Sequence, residues 1–404
     1  MKILVVCQRY WPEQFQITSI CEDLVRRGHD VTVLCGLPNV GMPEGEQGLV
    51  PREYRNGGNR RQIHNGVRIV RSFEIGRRSG PFWRMLNYLS FWKSASRKVL
   101  ELEDDFDITF AYQLSPATMC IPAQVLKKKK GVPYLLYSCD AWPEWIRAVL
   151  GDKFTFLANY FGRACKALYR DADELVVQTP SYLDYYSNYY GIDKSKLSYI
   201  PQFSTDNAGI SFSPHDGVNL LFAGNMGALQ CIPLILEAFS HCSDIEDFYL
   251  HFVGDGSELE NAKKIVSSKG LTDRVYFHGR KQFDEMPAYY GLADACVLAL
   301  DSSTLIGSTI PSKLQGYMSA GKPIVAAIDG GARFVIEESN CGIAVKPGDA
   351  KALSDAMRRI ATDRNLREEF GQNARAYYDK SFTQEAYMDA LEQSLFVVSG
   401  KGSS

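Results

Sequence analysis

One lysine lies where a diphosphate could be gripped. In Thr309-Ile310-Pro311-Ser312-Lys313-Leu314-Gln315-Gly316-Tyr317-Met318-Ser319-Ala320-Gly321-Lys322-Pro323-Ile324-Val325, Pro311 suits the first position of a helix, where the N–H has no intrahelical partner to lose. The amides of Ser312 and Lys313 then point outward unpaired, and an anion can accept from them beside the lysine charge. Leu314, Tyr317 and Met318 recur at helical spacing, Gly321 can take the left-handed stop, and Pro323 opens an apolar, β-branched run. The pattern predicts a loop, a short helix and a buried strand. An ordinary packed αβ unit with a surface lysine would carry the same pattern.

Further candidates lie at predicted strand ends. Gly224-Asn225-Met226-Gly227 is a tight strand-to-helix turn that lets backbone amides approach a phosphate. Gly254-Asp255-Gly256 closes the next strand and could border a ribose or base, or be a plain turn. Arg280 could add a second positive charge, or be a solvent-exposed arginine after a strand. Asp140, in Tyr137-Ser138-Cys139-Asp140-Ala141-Trp142-Pro143-Glu144, falls just beyond a buried strand. It could hold a substrate hydroxyl, act as a base, or cap a turn. Trp142 offers a flat apolar face for a sugar ring, or packs in a core.

The elements that must position these groups follow from apolar periodicity. Ile3 to Val6, a helix with Ile17, Ile20, Cys21, Leu24 and Val25 on one face, Gly28 as its stop, and Val31 to Leu34 form a βαβ unit. Strands are predicted at 67–70, 108–111, 134–137 and 175–177, with helical stretches between them. The pattern restarts at 219–223, with strands at 249–253, 275–277, 296–300, 324–327 and 342–345. Two parallel sheets covered by helices on both faces follow from that alternation, with a linker at 200–209. The predicted domains are 1–206, joined by a C-terminal helix at about 383–404, and 207–382. A ligand is expected in a cleft between the two halves, at the carboxyl ends of the strands. The stretch from Gly36 to Asn65 has little periodicity and reads as a mobile loop or an inert insertion.

Composition limits the function classes. The 404 residues carry 45 basic and 47 acidic side chains, a formal charge of −2, so no global basic field favours nucleic acid. Ten cysteines occur singly, without zinc spacing, and predict small buried thiols in a reducing compartment. The apolar run at the start is too short for a signal peptide, and no segment is long enough to span a bilayer, so a cytoplasmic protein is expected. The region Arg77 to Lys98 mixes aromatic and basic residues on a predicted helix. It suits either a membrane interface or core packing with a basic rim, and Lys127 to Lys130 could add to the same face.

The motifs taken together resemble a known family. Gln8-Arg9-Tyr10-Trp11-Pro12-Glu13, Arg27-Gly28-His29-Asp30-Val31-Thr32-Val33-Leu34, Asp140 to Glu144, Gly224 to Gly227, Gly279-Arg280 and Thr309 to Pro323 follow the order of family 4 retaining glycosyltransferases of the GT-B fold. The likeness is greatest to the bacterial surface-polysaccharide branch that includes L-fucosamine transferases. The resemblance implies two doubly wound Rossmann-like α/β domains facing each other across a cleft. It implies a UDP-linked donor sugar bound through Gly224, Asn225, Met226, Gly227, Gly254, Asp255, Arg280, Pro311, Ser312, Lys313 and Gln315. Asp140, Lys313 and Arg280 are the catalytic candidates; Trp11, Glu13, Gln16, Gln113 and Trp142 are the acceptor-side ones. A polyprenyl-diphosphate-linked acceptor, peripheral attachment to the inner face of the cytoplasmic membrane, and no metal or other cofactor are implied as well. The product would enter capsule, O-antigen or exopolysaccharide. Two departures stand out. The family's paired glutamates correspond to Ser308 and Gly316, and the basic residue after the G-x-x-G turn is replaced by Ala228, Leu229 and Gln230. A nucleotide-sugar 2-epimerase and a non-catalytic nucleotide-sugar binder are the rival readings.

Overall fold

The computed structural model describes residues 1–40, 49–142, 155–207, 209–210, 215–301 and 305–402, in two compact units: Met1–Ile200 with Met388–Ser404, and Pro201–Tyr387. Residues 201–206, assigned from sequence to the first domain, cluster with the second. Gln202 O accepts from the Gln315 side chain, Ser204 N donates to Phe382 O, and Phe203 packs on Tyr387 at 5.2 Å.

The first unit is built on eight strands: β1 (Lys2–Val6), β2 (Asp30–Cys35), β3 (Arg61–His64), β4 (Val67–Arg71), β5 (Ile108–Gln113), β6 (Tyr134–Ser138), β7 (Glu174–Val177) and β8 (Leu197–Tyr199). Their order is β3-β4-β2-β1-β5-β6-β7-β8, all parallel except for β3 against β4. Ile3 to Val6, Val33 to Cys35 and Tyr134 to Tyr137 are fully buried, as expected of strands covered on both faces. Helix α1 (Gln16–Arg26) buries Ile17, Ile20, Cys21 and Leu24 on one face and stops at Gly28, whose φ of 87° suits glycine.

The segment read as a mobile loop or an inert insertion contains β3 and a 3-10 turn, Arg52–Gly57; its residues 41–48 lie outside the described ones. Helix α2 (Pro81–Lys98), helix α3 (Ile121–Lys130), α4 (Thr155–Asp171) and α5 (Ser181–Tyr190) complete this unit's run up to β8. The basic run ending α3 is largely paired inside the unit. Lys127 meets Asp173 at 2.7 Å, Lys128 meets Asp171 at 2.7 Å, and Lys130 donates to Leu102 O at 2.8 Å.

The second unit has six parallel strands: β9 (Val218–Ala223), β10 (Phe248–Val253), β11 (Val275–Phe277), β12 (Ala295–Ala299), β13 (Ile324–Ala327) and β14 (Gly342–Val345), in the order β11-β10-β9-β12-β13-β14. The order reverses between β9 and β12, the switch point at which open α/β sheets leave a binding crevice. Helices α6 (Ile232–Ser240), α7 (Leu259–Ser268), α8 (Met286–Leu292), α9 (Ser312–Ser319), α10 (Gly330–Ser339), α11 (Ala350–Thr362) and α12 (Arg364–Ser381) connect and cover the strands. One core, containing Phe222, Leu236, Phe252 and Met357, fills one face; another, containing Leu221, Leu298, Tyr317 and Val335, fills the other.

Helix α13 (Gln384–Ser399) contributes its residues from Met388 onward to the first unit, where Leu391 and Leu395 are fully buried. Arg27 Nη1 meets Asp389 at 2.6 Å and Glu392 at 3.1 Å, and His29 Nε2 meets Glu392 at 2.6 Å. All ten cysteines are free, and nine are buried.

Candidate functional site

The carboxyl ends of β9 and β10 cross backbone to backbone. Gly254 has φ of 144°, and a Cβ there would lie 1.9 Å from Gly224 O; one on Gly256 would lie 2.5 Å from Met226 O. Only glycine permits this approach. The crossing is fastened by Gly224 N to Val253 O at 2.9 Å, Met226 N to Asp255 O at 2.8 Å and Gly254 N to Gly279 O at 2.9 Å. It floors a cavity of about 710 Å³ lined by Gly224, Asn225, Gly254, Asp255, Arg280 and Lys281, among others. Gly224, Asn225, Gly254, Asp255 and Arg280 are therefore brought together as the sequence predicted. Met226 is fully buried, so its contribution to a ligand is confined to its backbone.

Helix α9 lies under this turn. Pro311 is its N-cap, with φ −73° and ψ 139°, and Ser312 opens the helix, one residue later than the sequence suggested. Tyr317, fully buried, accepts from Ala223 N at 2.8 Å and donates to Ala223 O at 3.1 Å. That bracket fixes α9 to the end of β9. Lys313, one turn earlier on the same face, is carried to Gly224, where a Cβ on the glycine would lie 3.3 Å from Nζ. The ammonium rests 4.1 Å from the centroid of the Phe222 ring and donates to Gln230 Oε1. Burial alone drives its pKa down to about 7.

Gln315, predicted to contact the donor, is buried instead, and donates to Gln202 O at 2.5 Å. The positions that stand for the absent glutamates have their own surroundings. A Cβ at Gly316 would approach the Tyr290 hydroxyl to 3.2 Å, and Ser308 Oγ donates to Leu305 O at 2.8 Å. Tyr290, which sequence reasoning missed, thus crowds position 316, where a side chain would need the Tyr290 hydroxyl to give by a few tenths of an ångström; no local motif marks it.

In the first unit the acceptor-side candidates divide into three groups. Asp140 Oδ2 accepts from Ser115 Oγ at 2.7 Å, and that oxygen accepts from the Trp142 indole at 3.0 Å. Burial pushes the Asp140 carboxyl up, opposed by its hydrogen bonds from Ser115. Gln113, fully buried, donates to Asp140 O at 2.6 Å, and its Oε1 has no hydrogen-bond partner among the described residues. Trp142 is 6% exposed, a packed indole rather than an open platform. Glu144 lies outside the described residues.

Glu13 is a second case. Its carboxylate is buried and accepts from the amides of Asn39 at 2.8 Å and Val40 at 2.6 Å. It adjoins a buried network in which Arg9 meets Glu74 at 2.9 Å, Gln8 donates to Glu74 at 2.6 Å, and Arg9 and Gln8 both donate to Asn87. Trp11 and Gln16 form the third group. Trp11 stacks on His64 at 4.1 Å, and Gln16 is exposed at the start of α1.

A pair of Rossmann-like parallel-sheet units, the second with glycine-rich strand ends beside a cationic helix start, defines the GT-B class. Residues 14–202 match the family described as glycosyl transferase 4-like domain, and residues 205–377 match glycosyl transferases group 1. The chain belongs to these family-4-like glycosyltransferases of the GT-B fold. It is 24% identical over 250 residues to the lipopolysaccharide core biosynthesis glycosyltransferase LpsE of Rhizobium meliloti, covering 60% of this chain and 69% of that one. It is 26% identical over 263 residues to the probable glycosyltransferase WbjE of Pseudomonas aeruginosa, covering 61% and 64%. The chain thus spans about two thirds of these relatives. Among solved structures, Anabaena Alr3699/HepE superposes with a TM-score of 0.68 at 14% identity, covering 98% of this chain and all of that one. A glycosyltransferase from Rickettsia africae superposes with a TM-score of 0.66 at 17% identity, covering 98% of each.

Proposed function

We propose that this chain moves a sugar from a UDP-linked donor to a polyprenyl-diphosphate-linked acceptor, with retention, in bacterial capsule, O-antigen or exopolysaccharide synthesis. The observation that carries the reading is the Lys313 ammonium beside Gly224, at the head of α9 and next to a cavity bearing Arg280. Neighbours of the same fold were solved with UDP and with UDP-glucose, and one relative acts in lipopolysaccharide core biosynthesis, which supports a nucleotide sugar and a polysaccharide product. The likeness of the Thr309 to Pro323 string to L-fucosamine transferases favours an N-acetylated 6-deoxyhexose.

In this reading the bond between the anomeric carbon and the β-phosphate oxygen breaks, and the charge developing on UDP is met by Lys313, Arg280 and the open amides of α9. The acceptor hydroxyl attacks on the face the leaving group vacates, and its proton passes to a donor phosphate oxygen. Asp140, oriented by Ser115, holds that hydroxyl. Lys313, Arg280 and the α9 amides meet the diphosphate charge in this reading without a metal ion.

The lipid acceptor calls for a membrane surface, and the segment from Arg77 to Lys98 supplies the face that docks on it in this reading. It holds six basic residues and no acidic one. Phe82 is 60% exposed, and Phe73 just before the segment is 54% exposed. Arg78 lies 4.5 Å over Trp83 and Arg77 lies 5.7 Å over Tyr88. Anionic lipid contributes about 1 kcal/mol per basic residue near its surface, enough for reversible peripheral attachment. No helix among the described residues is long and apolar enough to cross a membrane.

The test incubates the protein with a panel of nucleotide sugars, with and without polyprenyl-diphosphate saccharide. UDP release that requires the acceptor is the expected result. Release or sugar isomerisation without acceptor would make it an epimerase, and binding without any release would make it a non-catalytic binder.

A further inference from the structure

Gln230 closes the 3-10 turn Ala228–Gln230 that follows Gly227, and its side chain turns back to helix α9, where Oε1 accepts from Lys313 Nζ. The two residues stand 83 positions apart in sequence. Among the described residues no carboxylate pairs with Lys313. Its contacts are the amide carbonyl of Gln230 and the face of the Phe222 ring, 4.1 Å from ammonium to centroid. Both are electron-rich and both are neutral. A carboxylate in place of Gln230 would hold the ammonium equally well but cancel its charge and repel an incoming diphosphate. An amide carbonyl fixes the direction of the ammonium and leaves its charge uncompensated. Without that bond a lysine is a point charge on a flexible four-carbon stem.

We propose that Gln230 is a positioning residue for the donor diphosphate: its side-chain carbonyl holds the Lys313 ammonium at the Gly224 turn, so that a cation from helix α9 serves the turn after β9, which has none of its own. This rests on the reading of Lys313 as the diphosphate-binding cation. The hydrogen bond also favours the charged form of the lysine, against the burial that lowers it to about 7. The charged groups facing the adjoining cavity are Asp255 from the loop after β10 and Arg280 and Lys281 from the loop after β11. The Cys231 thiol, next to Gln230, is pushed up by burial and then by the nearby Asp301 carboxylate.

The experiment uses the full chain and UDP-glucose as probe, because a diphosphate diester does not titrate near neutrality, unlike a terminal phosphate with its second pKa of about 6. Affinity is measured by calorimetry from about pH 6 to about pH 9 for wild type, Q230M, Q230E and K313A, with melting curves to confirm folding. If only the charged lysine binds, wild-type affinity is level below about pH 7 and falls toward tenfold per pH unit above it. Q230M, nearly isosteric but without the acceptor, moves that break to lower pH and weakens binding about tenfold at pH 8. Q230E moves the break to higher pH but lowers the level at its acid side. K313A abolishes the break. A Q230M protein with wild-type break and affinity, alongside a K313A protein that has lost binding, overturns the role of Gln230 alone. Unchanged affinity in K313A overturns the reading of Lys313 and this inference with it. If Q230M does not fold, a Q230E break at the wild-type pH overturns the role.

Discussion

Burial holds the Lys313 ammonium well below the usual lysine range, to about 7, and a buried charge with no counter-ion among the described residues costs the fold something in the empty state. Removing it should therefore not unfold the protein. We expect K313A to lower acceptor-dependent turnover about 10²- to 10³-fold, the range seen when one donor to a developing oxyanion is lost, while the melting temperature holds or rises slightly. Turnover within a factor of two of wild type would remove the lysine from the mechanism. Gly254 makes the opposite case, a residue important for what it lacks. With φ of 144° and a would-be Cβ 1.9 Å from Gly224 O, G254A must push the two strand ends apart. The expected outcome is loss of UDP-glucose binding together with at least about 2 kcal/mol of stability in urea denaturation. Retained binding at wild-type affinity would show that the crossing is not the floor of the site.

Elements are held in place here by contacts the local sequence does not announce. The ends of β1, β2 and β4 and the body of α2 meet around the Arg9–Glu74 pair, whose side chains are 5% and 0% exposed. Burial pushes the Glu74 carboxyl up, and Arg9 is the largest influence holding it down. R9M leaves that carboxylate buried and uncompensated, at a cost of about 3–5 kcal/mol. Its sign with pH follows. Without Arg9 the folded-state pKa of Glu74 rises further above its unfolded value, so proton uptake favours the fold at acid pH, and that contribution is lost as pH rises through the folded pKa. The R9M penalty should be larger at pH 8 than at pH 5 in urea titrations; equal penalties would argue that Glu74 is already neutral in the wild type.

The same contrast separates what was legible in the sequence from what was not. β1, β9 and β13 stand where apolar runs predicted them, because a doubly covered parallel strand is written in consecutive residues, and the edge strands β11 and β14 are also found where they were predicted. β3 is four residues long, with Arg61, Gln62 and His64 among them, and exists because β4 pairs with it. The Lys313 helix start could be read from Pro311, Ser312 and Gly321 alone. The fates of Glu13 and Gln315 could not, since their partners are the amides of Asn39 and Val40 and the carbonyl of Gln202, which only the folded chain brings near.

At the scale of the molecule, the chain's last residues complete the unit that its first residues begin. Met388–Ser404 cluster with Met1–Ile200, and the junction combines fully buried Leu391 and Leu395 with ion pairs from Arg27 and His29 to Asp389 and Glu392. The two contributions differ in weight. Asp389 is 64% exposed at its side chain, so its pair with Arg27 is screened by solvent and adds little, whereas Leu395 at 0% exposure fills space nothing else can. D389N should accordingly cost under about 1 kcal/mol, and L395A about 2–5 kcal/mol. The loss should also be local: amide exchange in L395A should quicken in β1, α1 and β2, and stay at wild-type rates in β9 and β10, which belong to the other unit. Faster exchange spread evenly through both sheets would mean that Leu395 supports more of the molecule than the unit it is packed in.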